Sequence, residues 1–174
     1  VTLDITLIEK KEYYEYIPAS LRCMVTPSHF EKVSVSLEDF HRSLMKGSRH
    51  RLYLFTRCQA VGLDTANHVV KYCRVENTSE ELQVAYDYLV LACGSDYIAP
   101  YIKPSESDRS LDDRMQSFKH FKDSLLLEDM KHALIVGGGS VGVELAGELV
   151  DFRKQNNKTY KITLVHSRDI LLER

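Results

Sequence analysis

Apolar residues recur along this chain in two rhythms, and each change of rhythm marks a new part. Residues 1–9 read V-T-L-D-I-T-L-I-E, where Ile5, Leu7 and Ile8 make an apolar strand that stops on an acid, Glu9. Aromatics and turn formers follow. Pro18 begins a short helix over residues 19–25, which must end before Pro27. Helical spacing returns over 37–45, with Gly47 near its end. From Arg51 to Tyr97 the period shortens. Leu52 and Leu54 alternate with Tyr53 and Phe55, and short strands follow over 60–64, 68–75 and 82–86, parted by polar turns such as 77–81. This stretch predicts a small antiparallel insertion. Residues 87–95, D-Y-L-V-L-A-C-G-S, predict another buried strand closing on a small-residue turn. Pro100 and Pro104 lie in a polar connection over 98–109. Ser110-Leu111-Asp112-Asp113 then opens a helix as a capping box with Asp113 in place of Glu or Gln, and Met115, Phe118, Phe121 and Leu125 mark its apolar face.

The last third carries the most specific pattern. Ala133 to Val136 is an apolar run fit for a strand covered on both faces, and Gly137, Gly139 and Gly142 then spell G-x-G-x-x-G before a helix. A second strand, Lys161 to Val165, returns after the polar loop 155–158. The first glycine permits a tight turn, the second lets a pyrophosphate approach the backbone, and the third lets helix and strand pack closely. The helix start offers N–H groups and a positive dipole end to an anion. The βαβ context predicts dinucleotide binding; the alternative is a glycine-rich turn in some other α/β protein. Glu9, at a strand tip, is either an acceptor for ribose hydroxyls or an exposed charge ending a strand. Arg22 either meets a phosphate or is solvated. No glycine loop precedes the first strand, so a nucleotide unit built on it would have its own first strand and phosphate loop upstream.

Composition narrows the classes. The 174 residues, 44% hydrophobic and 28% charged, suit one large or two small globular domains. A net charge of −2 gives no nucleic-acid surface, and no apolar run reaches the roughly 18 residues of a membrane helix. No secretory signal opens the chain. Cys23, Cys58, Cys73 and Cys93 form no close pair, so neither a zinc site nor a redox dithiol is written, and each is expected to be a small core residue in a reducing compartment.

In order and spacing the chain resembles the FAD- and NAD(P)H-dependent pyridine nucleotide-disulfide oxidoreductases, most closely the type II NADH dehydrogenases and apoptosis-inducing-factor-like ferroptosis suppressors. Four segments carry this: Leu7-Ile8-Glu9, Tyr16-Ile17-Pro18-Ala19-Ser20-Leu21-Arg22, the stretch from Tyr86 to Ser95, and the glycine loop. The resemblance implies an α/β chain of two Rossmann-like, three-layer dinucleotide-binding domains, both incomplete, with a small antiparallel β insertion. Residues 1–100 would be a partial FAD-binding domain without its first strand and phosphate loop, and residues 101–174 the N-terminal part of an NAD(P)H-binding domain.

It also implies roles. Glu9 would hold the FAD ribose, with Lys10 and Arg22 near the FAD phosphates or adenine side. The Ala60 backbone would meet the adenine, and Ala92, Cys93 and Gly94 would pass close to FAD, Cys93 standing in for the family's usual threonine. Gly137, Gly139, Ser140, Val141 and Gly142 would hold the NAD(P)H pyrophosphate and Glu144 would orient the nicotinamide. His166 and Arg168 mark the tip of the second strand of that unit, where no carboxylate appears until Asp169; Arg168 either pairs with a 2′-phosphate, so that NADPH serves as well as NADH, or points to solvent. Without a redox cysteine pair, disulfide reduction is disfavoured, and hydride passing from NAD(P)H to FAD and on to a quinone-like acceptor is favoured. No acid–base catalytic residue and no metal are expected. The competing reading is a non-catalytic NAD(P)H-binding sensor or interaction module. An intracellular setting, cytoplasmic or mitochondrial, is implied, with no nucleic-acid partner and any membrane association running through segments outside this chain.

Overall fold

The computed structural model describes residues 1–94, 107–127 and 130–172. Ser95, most of the expected connection over 98–109 and the boundary between residues 100 and 101 lie outside them. In chain order the first strands and helices are β1 (Asp4–Glu9), β2 (Tyr13–Glu15), α1 (Ser20–Val25), α2 (Phe30–Val33), β3 (Ser34–Ser36) and α3 (Leu37–Met45). Four strands follow: β4 (Arg51–Thr56), β5 (Cys58–Asp64), β6 (Val69–Arg74) and β7 (Asn77–Ala85). Last come α4 (Leu111–Leu126), β8 (His132–Val136), α5 (Ser140–Gln155) and β9 (Lys161–Val165). The chain is α/β, and its contacts divide it into two compact units. One holds the described residues of Val1–Glu15, Ser34–Ile98 and Glu106–Asp113, the other those of Tyr16–Val33 and Arg114–Arg174.

In the first unit β1 and β4 pair in parallel, from Asp4↔Arg51 to Glu9↔Thr56. The alternating stretch at Arg51–Thr56 therefore belongs to a parallel pair and not, as its pattern suggested, to the antiparallel insertion. Alternation records which side chains face a core but not the direction of the neighbouring strand, and a parallel partner needs a crossover connection. That crossover includes α3, which starts where the Ser36 hydroxyl accepts the Asp39 N–H at 3.0 Å. The insertion itself is β5-β6-β7. Asp64 closes its first hairpin by accepting the N–H groups of Ala66 (3.1 Å) and Asn67 (3.0 Å), and hydrogen bonding from Asn67 holds its carboxyl below the usual range. Residues 77–81, expected as a turn, are the exposed start of β7; a sheet edge facing water carries polar side chains without penalty. Tyr72 and Cys73 of β6 are buried, and the Tyr72 ring stacks on Phe55 of β4 at 5.5 Å.

The expected buried strand over 87–95 is not found. Its described residues have no regular structure, and Tyr88 and Val90 are 96% and 84% exposed. No described strand runs beside them, so among the described residues no ladder pairs their backbone and no sheet face receives their side chains. Cys93 is exposed with them, whereas Cys23, Cys58 and Cys73 are buried as expected, and burial pushes the Cys58 thiol up.

The second unit is the predicted βαβ. β8 and β9 pair in parallel from His132↔Lys161 to Val136↔Val165, and α5 connects them. Val25, Leu125, Ile135, Leu149 and Phe152 form the core, with Ala133, Ile162 and Leu164 from the same sheet face packed against it. The opposite face carries Leu134 and Val136, 59% and 80% exposed. Among the described residues the strand is thus covered on one face and not on both; apolarity shows that a strand can take two covers, not that both are supplied. Ahead of it, α4 begins as written. The Ser110 hydroxyl accepts the Asp113 N–H at 3.1 Å, and the Asp113 carboxylate accepts the Ser110 N–H at 3.0 Å. Phe118 and Leu125 are buried on its apolar face, and so is Arg114, whose guanidinium lies 4.1 Å from the centre of the Phe118 ring.

Two outcomes follow from the packing. Leu149→Ala removes a 3% exposed core side chain and should lower stability by about 2–5 kcal/mol in denaturant titration. Hydrogen bonds from Ser110 hold the Asp113 carboxyl below its ordinary value. Its capping contribution is therefore full above the unfolded aspartate value and lost as pH falls through the lower folded value. Amide exchange at the start of α4 should rise only on that acid limb, and Asp113→Asn should abolish the dependence.

Candidate functional site

The glycine loop joins β8 to α5. The Gly137 N–H extends the strand ladder by donating to the Val165 carbonyl at 2.8 Å, and its φ of +117° is open to glycine alone among common residues. The first helical bond runs from the Val143 N–H to the Gly139 carbonyl at 3.1 Å, which makes Gly139 the N-cap. Ser140, Val141 and Gly142 then occupy the first turn, where backbone N–H groups have no intrahelical acceptor. Those donors and the helix dipole make an anion cradle of the kind a pyrophosphate fits. A Cβ at Gly142 would strike the Gly137 carbonyl oxygen, a backbone atom that cannot swing aside, whereas a Cβ at Gly139 would meet nothing within 4 Å. The two glycines therefore serve different ends: one admits the helix to the strand, the other leaves the cradle open.

Gly138, the residue the motif leaves unspecified, is also constrained. A Cβ there would lie 2.5 Å from Leu171 Cδ2 and 2.7 Å from His166 Cγ. Its N–H donates to His166 Nδ1 at 3.1 Å, and its carbonyl accepts the Leu172 N–H at 2.9 Å. Sequence reasoning passed over Gly138 and Leu171; the only signal for the first was that the loop has three glycines in a row. His166 is half-buried at the end of β9, and Arg168 beyond it is exposed. Glu144 lies exposed on the second turn of α5. One turn further on, Glu148 takes Arg22 of α1 at 2.9 Å, and that bond and charge raise the arginine pKa. The structure thus places Arg22 on a carboxylate of the glycine-loop helix, a partner the sequence did not reveal.

The expected FAD-side residues sit in the first unit. Glu9 is half-buried at the end of β1, and its Oε1 accepts the Lys11 N–H at 3.1 Å; Lys10 next to it is exposed. Ala60 stands beside a β-bulge. The pairing steps from Ala60↔Tyr72 to Gly62↔Lys71, leaving Val61 out of the ladder. Ala92, Cys93 and Gly94 lie in the exposed stretch after β7, with Gly94 at a φ of +73°. Among the described residues there is no group of three metal-ligating side chains and no helix long and apolar enough to cross a membrane.

A family model for the pyridine nucleotide-disulphide oxidoreductases matches residues 2–174. Apoptosis-inducing factor homolog A of Dictyostelium discoideum is 30% identical over 172 residues, covering 97% of this chain and 37% of that protein. The internal alternative NAD(P)H-ubiquinone oxidoreductase A1 of Arabidopsis thaliana, a mitochondrial protein, is 27% identical, covering 97% of this chain and 38% of its own length. The solved structure of NDH2 from Plasmodium falciparum in complex with NADH superimposes with a TM-score of 0.68 at 21% identity, over 97% of this chain and 38% of that one. The chain therefore spans less than two fifths of the length of these three relatives.

The loop geometry separates two substitutions. Gly142→Ala should lower the melting temperature by several degrees, because helix and strand must move apart. Gly139→Ala should leave melting within about 2 °C and abolish nucleotide binding, followed by titration calorimetry. Equal effects of the two on melting would contradict the division of roles.

Proposed function

The chain belongs to the pyridine nucleotide-disulphide oxidoreductase family, and from that membership we propose that it contributes the NAD(P)H site and part of the FAD site of an FAD-dependent NAD(P)H oxidoreductase of the type II NADH dehydrogenase kind, with a quinone-like acceptor. The observation that carries this is the glycine loop. Its third glycine is required by the Gly137 carbonyl, its second leaves open space, and a turn of unpaired N–H groups faces that space. Such a cradle fits the pyrophosphate of NAD(P)H. Glu9, at the tip of a parallel strand, fits an acceptor for the FAD ribose hydroxyls, and its bond to the Lys11 N–H orients the carboxylate.

Bound FAD supplies the redox chemistry, and the protein supplies binding, orientation and exclusion of water. Ser140, Val141 and Gly142 hold the donor's pyrophosphate, Glu144 orients its nicotinamide end, and Glu9 fixes the ribose of FAD. The bulge at Val61 frees backbone next to Ala60 for contact with the adenine. The four cysteines of this stretch are free thiols, three of them buried, which supports hydride transfer over disulfide reduction. The Arabidopsis relative's name, an NAD(P)H-ubiquinone oxidoreductase, supports a quinone as acceptor and NADPH as an accepted donor.

The test uses the full-length flavoprotein. Under anaerobic conditions NADH should bleach its flavin absorbance and a soluble quinone should restore it. Glu9→Lys should yield protein without flavin. A protein that binds NADH and never bleaches would be a sensor, and unchanged flavin content in Glu9→Lys would remove Glu9 from the FAD site.

A further inference from the structure

Helix α1 has six residues and no side-chain cap, too little to stand on its own in water. It takes its place from what it packs against. Val25 lies in the core that Leu149 and Phe152 of α5 help to build, and Leu21, Cys23 and Met24 are buried as well. The Tyr16 N–H donates to the Val33 carbonyl at 2.9 Å and closes this excursion of the chain. Residues 16–33 cluster with the glycine-loop unit, although β2 and β3, which flank them in sequence, do not. The stretch that the resemblance places beside FAD is therefore carried by the helix of the other nucleotide's loop.

Arg22 and Glu148 add a polar bond to that packing. The arginine Nε and Nη2 both meet one carboxylate oxygen, Glu148 Oε1, at 3.0 and 2.9 Å. A guanidinium is a planar, rigid fork, so two donors on one acceptor restrict its rotation. Asp151, further along α5, adds its charge to the same field. Glu144, which the resemblance gives to the nicotinamide, takes no part in the pair. The Glu148 side chain is 21% exposed on a 16-residue helix, whereas that of Arg22 is 59% exposed, so the carboxylate is the anchor and the arginine the group it holds. Nη1 has no partner among the described residues. An exposed guanidinium with donors to spare fits a phosphate, and one already restrained loses less side-chain freedom on binding it.

Building on the FAD-dependent reading above, we infer that Glu148, a residue of the glycine-loop helix, is a positioning residue for flavin retention: it holds the Arg22 guanidinium in advance for a phosphate of FAD.

The test uses the full-length protein, freed of flavin and titrated with FAD, with binding read by quenching of flavin fluorescence and folding by thermal melting. Arg22→Ala should weaken FAD by more than about tenfold. Glu148→Ala, which keeps the arginine and frees it to rotate, should weaken FAD by about three- to tenfold. Glu148→Gln keeps an acceptor oxygen for the arginine and should stay within about twofold of the wild type. The double variant Arg22→Glu, Glu148→Arg rebuilds the pair with its charges exchanged. It should melt within about 2 °C of the wild type and bind FAD as weakly as Arg22→Ala. A charge-exchanged protein that binds FAD like the wild type makes the pair a structural strut. Unchanged FAD affinity in Arg22→Ala or Glu148→Ala, or an equal loss in Glu148→Gln and Glu148→Ala, shows that Glu148 does not act by orienting Arg22. Each of these overturns the inference and leaves the flavoenzyme standing. A wild-type protein that takes up no FAD overturns the flavin reading itself, and this inference with it.

Discussion

The carbonyl oxygen of Gly137 occupies the place that a side chain on Gly142 would need. Helix α5 can approach β8 only because that side chain is missing, and its approach sets the rest of the second unit. It points the unpaired N–H groups of the first turn at one spot. It also lays Leu149 and Phe152 of α5 into a core with Ile135 of β8. Gly137 meets the demand from the other side with a positive φ that carries the strand into the helix without a side chain in the way. Fold and ligand cradle thus rest on one steric condition.

Polar groups around the loop have been divided between structure and ligand. The Gly137, Gly138 and Val143 amides are consumed by Val165, His166 and Gly139. What is left over lies in the first turn of α5, at the positive end of the helix dipole. The Arg22–Glu148 pair has a different character. The arginine side chain is 59% exposed, so the pair adds little to stability, but it neutralises a carboxylate on the helix that carries the proposed pyrophosphate cradle.

How much was legible in the sequence depended on whether the cause was local. The capping box at Ser110 and Asp113, the helix after Ser36 and the βαβ with its glycine loop are written in residues near one another, and each stands where the pattern put it. The family and the α/β class were legible for the same reason. Partners far along the chain were not. Nothing in Arg51–Thr56 says that β1 lies beside it in parallel, and nothing near Arg22 names Glu148. Arg114 broke the polar-outside rule because a buried guanidinium can lie over Phe118, a contact that a charge count hides. The three-residue strands β2 and β3 were too short to show a period. Residues 87–94 have the apolarity of a buried strand without a neighbour among the described residues, and composition cannot distinguish the two situations.

The bare face of β8 and β9 has a practical side. Leu134, Val136 and Val165 stand in water on a two-stranded parallel sheet, and Tyr88 to Leu91 stand in water in the other unit. A parallel sheet is ordinarily insulated above and below, and its open edges are templates on which further strands are laid. A net charge of −2 gives little repulsion to hold such surfaces apart. The colloidal behaviour of this stretch, handled alone, would therefore be set by a few uncovered aliphatic side chains and by the sheet edges that no described strand pairs. Its concentration and its company, more than its fold, would decide whether it stays in solution.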